Sequence, residues 1–210
     1  MPTVFTHPVV PLAIGLGLGR KLVPAPLLVC GVIGSILPDL DVIAFRIGIP
    51  YAAEFGHRGF SHSLLFAFVV ALLFACFYRF LQTNFLRALL FLFIAVSSHG
   101  VLDTLTNGGL GIALLWPWSE HRYFMPLHPV EVSPLGMSRF LSERGLVVLK
   151  SEFLWVWLPA MAATATMMLA RLALTLQLIG QPKAGRFFPN GPSRAVAGYL
   201  DIIRLYKRRQ

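Results

Sequence analysis

Two imidazoles, one guanidinium and two hydroxyls fall within one short stretch of the chain, residues 57–63, which reads His-Arg-Gly-Phe-Ser-His-Ser. A long apolar run, residues 64–77, follows directly. Polar groups at the mouth of a membrane segment are costly to keep there without partners, which favours a functional site. The structural alternative is that Arg58, Ser61 and His62 cap and anchor the end of a helix.

The composition indicates an integral membrane protein. Of the 210 residues, 56% are hydrophobic and 13% are charged, and the mean hydropathy is +0.71. A soluble domain carries about 25% charged residues. Several apolar runs approach the ~20 residues that a helix needs to cross a bilayer. Cys30 and Cys76 lie within such runs, where a free thiol behaves as a small hydrophobe, so neither a disulfide nor a cysteine metal site is expected.

The apolar runs predict an all-α, polytopic membrane helix bundle of about five helices. The helices are predicted over residues 9–19, 22–37, 62–80, 85–105 and 152–170. The first two are short and form a hairpin that either crosses the membrane or re-enters it. Residues 42–56 are expected to form a loop, and residues 112–150 a second loop whose aromatic residues suit the membrane interface.

The net charge of +9 is concentrated near the C-terminal end. Residues 183–210 hold seven Lys and Arg and one acid, Asp201. Beside a membrane span, such a tail indicates an anchor to anionic lipid of the bilayer, and no nucleic acid is expected as a partner. We predict a membrane-embedded domain over residues 1–180 and a basic, amphipathic tail over residues 181–210, which lies on the membrane surface or is disordered.

The distribution of Lys and Arg predicts the orientation. With five spans, one side of the membrane receives eleven of these residues and the other receives six. The positive-inside rule then places the C-terminus in the cytoplasm, for a multi-pass protein of the inner (plasma) membrane. The beginnings of helices one and three and the ends of helices two and four share the opposite, non-cytoplasmic face.

Seven side chains that can bind a metal ion fall at that one face of the bundle. They are His7, Asp39, Asp41, His57, His62, His99 and Asp103. His99 and Asp103 are four residues apart and therefore lie on one helical face. Imidazole nitrogens and carboxylate oxygens suit Zn²⁺, Mn²⁺ or Fe²⁺, and the mixture does not decide among them. Seven candidates exceed the need of one tetrahedral ion, so either two ions bind or some residues orient the imidazoles.

Further polar residues are candidates for other roles. Arg58 could clamp a phosphate or carboxylate, and Ser63 and Asn107 could donate hydrogen bonds to a substrate or to the ligands. The remaining polar residues of the loop at this face lack a matching spacing and are weaker candidates: Glu120, His121, His128 and Glu131.

Three blocks of the sequence resemble the signature of a known family. They are Pro38-Asp39-Leu40-Asp41, the stretch 57–63, and His99-Gly100-Val101-Leu102-Asp103-Thr104. With His7 in a Thr-His-Pro start, they are similar to the YdjM-like inner-membrane proteins, described as LexA-regulated, membrane-bound, metal-dependent hydrolases. The resemblance covers about residues 1–120 and excludes the tail. It implies metal binding more strongly than it implies any substrate, and LexA control does not transfer by motif.

Functions of different classes fit these observations. In a membrane-bound, metal-dependent hydrolase, Asp41, Arg58 and Ser63 would serve catalysis, with an amphiphilic or phosphate-bearing lipid as substrate. In a divalent metal-ion transporter, the same ligands would form an entry site. No strongly polar residue lies in the middle of helices three to five before Arg171, which makes a translocation path hard to draw. A non-enzymatic structural membrane protein with capped helices is the third alternative.

Labelling of introduced cysteines with an impermeant reagent tests the orientation. We expect positions 57 and 120 to react from the non-cytoplasmic side and position 207 from the cytoplasm, because the tail side carries the excess of Lys and Arg. Labelling of positions 57 and 207 from the same side would contradict the five-span arrangement.

Overall fold

The computed structural model describes residues 1–134 and 140–180, with side chains as far as residue 177. The α-helices are α1 (Val9–Leu18), α2 (Ala25–Gly34), α3 (Ile43–Arg46), α4 (Leu64–Ala75), α5 (Phe85–Thr104), α6 (Glu143–Glu152) and α7 (Leu158–Gly180). Two 3₁₀ helices, Leu37–Val42 and Phe60–His62, and one π-helical segment, Phe153–Trp157, complete the helical elements of the described residues. The described part contains isolated β-bridges but no strand, which confirms the all-α prediction.

Three helical stretches are long and apolar enough to cross a membrane. They are Ala25–Arg46, Phe85–Thr104 and Glu143–Gln177, of 22, 20 and 35 residues. Helices α1 and α4 are equally apolar but shorter, with 10 and 12 residues. A bilayer needs ~20 residues of helix, so the three long stretches meet that length. The predicted membrane helix bundle is confirmed.

Helix boundaries follow from local sequence. Pro26 lies in the first turn of α2, where its missing N–H costs no hydrogen bond. Helix α1 ends at Gly19, whose φ of 77° favours glycine. Helix α5 begins after Asn84, whose side-chain oxygen accepts a hydrogen bond from the Arg87 N–H at 2.9 Å.

Two predicted loops contain helix. Residues 42–56 were expected to form a loop, but the 3₁₀ helix ends at Val42 and α3 follows directly. The fifth helix was expected to begin at residue 152, yet α6 begins at Glu143. The reason is that α6 is amphipathic rather than apolar. It buries Gly145, Val148 and Glu152, at the i, i+3, i+7 spacing of one helical face.

Small residues allow α2, α4 and α5 to pack closely. Ala71 and Ala75 of α4 and Ala88 of α5 are fully buried, in one hydrophobic cluster with Leu27 of α2. Helices in lipid associate mainly through such close packing, because lipid tails remove the hydrophobic drive. The tight contact between α4 and α5 fixes the ends of both helices relative to each other.

The chain divides into two compact units, Met1–Arg171 and Leu172–Gln210. The first holds every predicted ligand. Of the second, the structure describes only the end of α7, to residue 180. The predicted basic tail, 181–210, lies outside the described residues, and the predicted boundary at residue 180 stays a prediction.

Replacing Gly100 with alanine should destabilise the bundle. A Cβ there would lie 2.7 Å from the backbone oxygen of His62, at the point where α5 passes the second 3₁₀ helix. Backbone yields less easily than a side chain, so we expect the free energy of unfolding in detergent to fall by about 1–3 kcal/mol. The control is Val101→Ala at the next, exposed position, with an effect within about 0.5 kcal/mol. Equal stability of Gly100→Ala and wild type would contradict the close approach.

Candidate metal centre

The structure brings all seven predicted ligands together. His7 lies in the turn before α1, and Asp39 and Asp41 lie on the first 3₁₀ helix. His57 and His62 lie before α4, and His99 and Asp103 on α5. Their donor atoms form three overlapping groups, within each of which all atoms lie within 4.8 Å of one another: His7, His99 and Asp103; Asp39, His62 and His99; Asp41, His57 and His62. Six of the seven residues are buried, and Asp41 is half-buried.

Four donor atoms at the centre are spaced as ligands of one ion are. The Nε2 atom of His99 lies 3.1 Å from Nε2 of His62 and 3.3 Å from Oδ1 of Asp39. The Nε2 atom of His62 lies 3.4 Å from Oδ2 of Asp103. For nitrogen and oxygen ligands at about 2.0–2.2 Å from an ion, neighbouring donors are roughly 2.9–3.6 Å apart in octahedral or tetrahedral geometry. These three spacings fit a single coordination sphere.

His7 completes this inner set from the other side of His99. The two rings stack, with centroids 3.6 Å apart and planes inclined by 12°. Its Nε2 atom lies 3.7 Å from both Asp39 and Asp103. Burial, with a further contribution from the neighbouring His99, lowers the pKa of His7 to about 3. The ring is therefore neutral, which is the form that binds a metal ion.

The inner residues hold buried polar atoms without hydrogen-bond partners. Among the described residues, these atoms include both nitrogens of His7 and all four carboxylate oxygens of Asp39 and Asp103. An uncompensated buried carboxylate costs several kcal/mol. The nearest guanidinium atom, Nε of Arg58, lies 3.3 Å from one oxygen of Asp103. A divalent cation among these atoms would satisfy the carboxylates and the free imidazole nitrogens together, so the donor set fits a metal ion.

Asp41 orients two imidazoles. Its carboxylate accepts hydrogen bonds from Nδ1 of His57 at 2.6 Å, the Ser61 hydroxyl at 2.7 Å and the Arg58 N–H at 3.0 Å, and it lies 3.1 Å from Nδ1 of His62. With Nδ1 of His62 engaged in this way, its Nε2 atom is left to face the centre. The geometry gives Asp41 a positioning contact with both rings, and its predicted roles as a metal ligand and a catalytic residue stay predictions, since Asp41, His57 and His62 also form one of the three donor groups.

The His99 ring is oriented in the same manner. Its Nδ1 atom lies 2.7 Å from the backbone oxygen of Ser35, and a proton on Nδ1 leaves Nε2 with a lone pair toward the centre.

Burial lowers the pKa of His62, but hydrogen bonds to Asp103 and Asp41 outweigh it and raise that pKa to about 9. The same carboxylates that would face a cation stabilise a proton there. A proton and a metal ion thus compete for Nε2 of His62.

Arg58 braces Asp103 and the loop after α5. Its Nη1 donates to the oxygen of Gly108 at 2.7 Å, and its Nη2 donates to the Thr106 hydroxyl at 3.0 Å. The residue is 1% exposed, and its φ of 65° is uncommon for a residue with a side chain. Such backbone strain concentrates at functional sites. Both Nη atoms of the guanidinium are therefore bonded within the protein, and Nε faces the Asp103 carboxylate, whereas the predicted contact with a phosphate stays a prediction.

Ser63 caps a helix, and the catalytic role predicted for it stays a prediction. Its hydroxyl donates to the oxygen of Phe60 at 2.7 Å and accepts from the Phe66 N–H at 3.1 Å, which makes it the N-cap of α4. The structural alternative named Arg58, Ser61 and His62 as the cap, but the N-cap is Ser63, and Ser61 and His62 contact Asp41 instead.

The weaker candidates lie outside the three donor groups. Glu120, His121 and His128 are exposed. Glu131 pairs with Arg144 at 2.7 Å. The Asn107 side-chain oxygen accepts from the Val132 N–H at 3.0 Å and so holds its own loop together.

Arg122 is a residue that the sequence analysis missed. Its guanidinium donates to the backbone oxygens of His57, Ala52 and Ala53 at 3.1–3.3 Å. These bonds tie the loop that carries His57 to the loop after α5. Since the acceptors are backbone atoms, no motif in the sequence signals this role.

A cavity of about 340 Å³ opens beside the centre. It is lined by Met1, Phe45, Tyr51, His57, Arg58, Gly109, Val132 and Ser133. A Cβ at Gly109 would lie 2.4 Å from Nη1 of Arg58 and 2.6 Å from the Tyr51 hydroxyl. The glycine therefore lets the loop pass close to both polar groups on the cavity wall.

Known proteins are similar in sequence to this chain over most of its length. A family model described as YdjM inner membrane protein matches residues 1–177. The inner membrane protein YbcI of Escherichia coli (strain K12) is 49% identical over 164 residues, which cover 77% of this chain and 94% of that protein. The inner membrane protein YdjM of the same strain, and that of Shigella flexneri, are each 33% identical over 152 residues, 66% of this chain and 66% of those proteins. No solved structure matches the chain. Because the family model spans the centre and most of the chain, this protein belongs to the YdjM family of inner membrane proteins.

Proposed function

We propose that this protein is a membrane-bound, metal-dependent hydrolase. Its ion would be held by His7, Asp39, His62, His99 and Asp103. The observation that supports the proposal most is the set of buried, unbonded carboxylate oxygens and imidazole nitrogens that converge on one small volume. Helix capping alone does not account for this convergence, since the N-cap role belongs to Ser63.

A divalent ion in this centre would polarise a scissile group and make a bound water acidic enough to serve as a nucleophile near neutral pH. Asp41 and the Ser35 carbonyl would hold His62 and His99 in the tautomer that points Nε2 inward. Arg58 would keep Asp103 in place and present positive charge to the cavity.

The cavity supports a substrate with a small anionic head group. Its volume of about 340 Å³ lies at the lower end of the range for ligand sites, roughly 300–1,000 Å³. Arg58 and Tyr51 give it polar walls, and Phe45 beside them is apolar and exposed. We therefore infer an amphiphilic, phosphate-bearing lipid as substrate, whose acyl chains stay in the bilayer.

The proposed location follows from the charge distribution. The protein would pass the inner (plasma) membrane several times, with the centre at the non-cytoplasmic face and the basic tail bound to anionic lipid in the cytoplasm. A head group in the outer half of the bilayer would then reach the cavity without crossing the membrane.

Metal analysis of the detergent-purified protein tests the centre. We expect one or two divalent ions per chain in wild type, and loss of metal in His62→Ala and in Asp103→Ala with the fold retained. The matched control is His121→Ala, which removes an exposed histidine outside the donor groups and should keep the metal. Wild-type protein that is free of metal and cannot rebind Zn²⁺ or Mn²⁺ would exclude the proposal.

Arg58→Lys tests hydrolysis. The substitution keeps a positive charge near Asp103 but loses the planar guanidinium, whose two N–H groups not engaged by Asp103, Gly108 and Thr106 would donate to phosphate oxygens. We expect metal content to stay normal and turnover to fall about 10²-fold, similar to the loss of one oxyanion donor. Metal content and phosphate release are measured on the same samples, in mixed micelles with lipid phosphates.

The control for this experiment is Arg46→Lys, at an exposed arginine on α3, which should retain full turnover. Full activity of Arg58→Lys, or loss of its metal, would remove Arg58 from catalysis. Divalent-ion flux into vesicles without hydrolysis of any lipid phosphate would identify a transporter instead.

A further inference from the structure

Glu152 is a buried acid that the proposed chemistry does not use. It lies at the end of α6 and is 1% exposed. Its carboxylate accepts three hydrogen bonds, from the Thr3 N–H and from the hydroxyls of Thr3 and Thr6, the latter two at 2.7 Å. Within the described residues it forms no ion pair with Lys or Arg. A buried charge with only hydroxyl and amide donors is costly, so a carboxylate here calls for an explanation.

The π-helical segment that follows Glu152 brings a second side chain, Trp157, to the Thr6 hydroxyl. The indole Nε1 of Trp157 donates to the Thr6 hydroxyl at 3.0 Å, and that hydroxyl donates to Glu152. In a regular α-helix, residues five positions apart point about 140° away from each other. The i→i+5 bonding of the π segment brings them closer to one face. The π-helical segment therefore allows Glu152 and Trp157 to hydrogen-bond to the Thr6 hydroxyl at the same time.

The residue after Thr6 is His7, whose ring, unlike the other three imidazoles of the centre, is not oriented by a hydrogen bond within the described residues. The rings of His57, His62 and His99 each have Nδ1 within 3.1 Å of an oxygen that can accept its proton. Neither nitrogen of His7 has a hydrogen-bond partner. Its ring is placed by stacking on His99 and by the backbone turn, in which the Thr6 N–H bonds to the Thr3 oxygen at 2.9 Å.

We infer that Glu152 is a positioning residue for His7, acting through Thr3 and Thr6. A carboxylate suits this task because it only accepts hydrogen bonds, and all three groups that face it are donors. Glutamine would turn an NH₂ group toward one side of the network. The Thr6 hydroxyl would then receive donors from both Trp157 and the amide and lose its own acceptor. The inference rests on the proposed metal centre, since its readout is the affinity of that centre.

A double-mutant cycle tests the inference, with the Zn²⁺ dissociation constant of the purified full-length protein measured by competition with a chelating dye. We expect Glu152→Gln to weaken Zn²⁺ binding about 10- to 100-fold, the usual range when a residue that orients a metal ligand is lost. In the His7→Ala background, Glu152→Gln should change affinity less than about twofold, because its effect passes through His7. A purely structural role would weaken binding equally in both backgrounds.

The matched control is Glu143→Gln, which removes an exposed acid from the same helix and should leave the affinity unchanged. If Glu152→Gln fails to fold, Thr6→Val and Thr6→Ser provide the same test. Thr6→Val removes the hydroxyl and should weaken Zn²⁺ binding, whereas Thr6→Ser keeps the hydroxyl and should retain wild-type affinity. Unchanged affinity in folded Glu152→Gln, or an equal loss with and without His7, would overturn the inference alone. Absence of Zn²⁺ binding in wild type would overturn the metal centre and this inference together.

Discussion

Two buried carboxylates that face imidazoles without hydrogen bonds set the main constraint on this structure. Asp39 and Asp103 stand at the ends of two long apolar stretches, where removing a negative charge from water costs several kcal/mol. Hydrogen-bond donors, positive charge or bound protons can compensate for that cost, and these two carboxylates have no hydrogen-bond donor among the described residues. The turn before α1, the two 3₁₀ helices and the end of α5 therefore bring imidazoles to one volume. The tight alanine packing of α4 against α5 keeps this arrangement in register.

The polar groups around the centre fall into two kinds. Those of the inner residues face the centre, and a second set of groups holds some of the inner side chains in position. Asp41 and the Ser35 carbonyl fix ring tautomers. Arg58 holds Asp103 from one side, and Arg122 secures the loop that carries His57. The holding groups bond mostly to Nδ1 atoms and backbone oxygens, so Nε2 atoms and carboxylate oxygens remain directed inward. His62, His99 and Asp103 are each held at a second point in this way, which resists rearrangement of these three residues.

The sequence predicts the all-α membrane fold and the residues that come together at the centre. Both depend on features that can be read along the chain, namely apolar runs and the positions of His and Asp at helix ends. Apolar runs mark helices, and helix parity grouped all seven predicted ligands, Asp41 and His57 among them, at one end of the bundle. The sequence does not predict which atoms each of these side chains contacts. The sequence does not reveal that the Ser63 hydroxyl bonds to the backbone of Phe60 and Phe66. It places the start of the fifth helix at Glu152, because amphipathic α6 lacks an apolar run. Contacts to backbone oxygens, such as those of Arg122, leave no sequence pattern.

The position of Glu152 in the chain has a consequence for biosynthesis. All five inner ligands have been made once residue 103 leaves the ribosome, whereas Glu152 follows about 50 residues later. At about 5–20 residues per second, that interval lasts several seconds. During it, the inner residues can meet while the N-terminal turn is still unsecured. The nascent protein would therefore pass through a stage in which the turn before His7 lacks its support from Glu152, before α6 and the π-helical segment pack against Thr3 and Thr6.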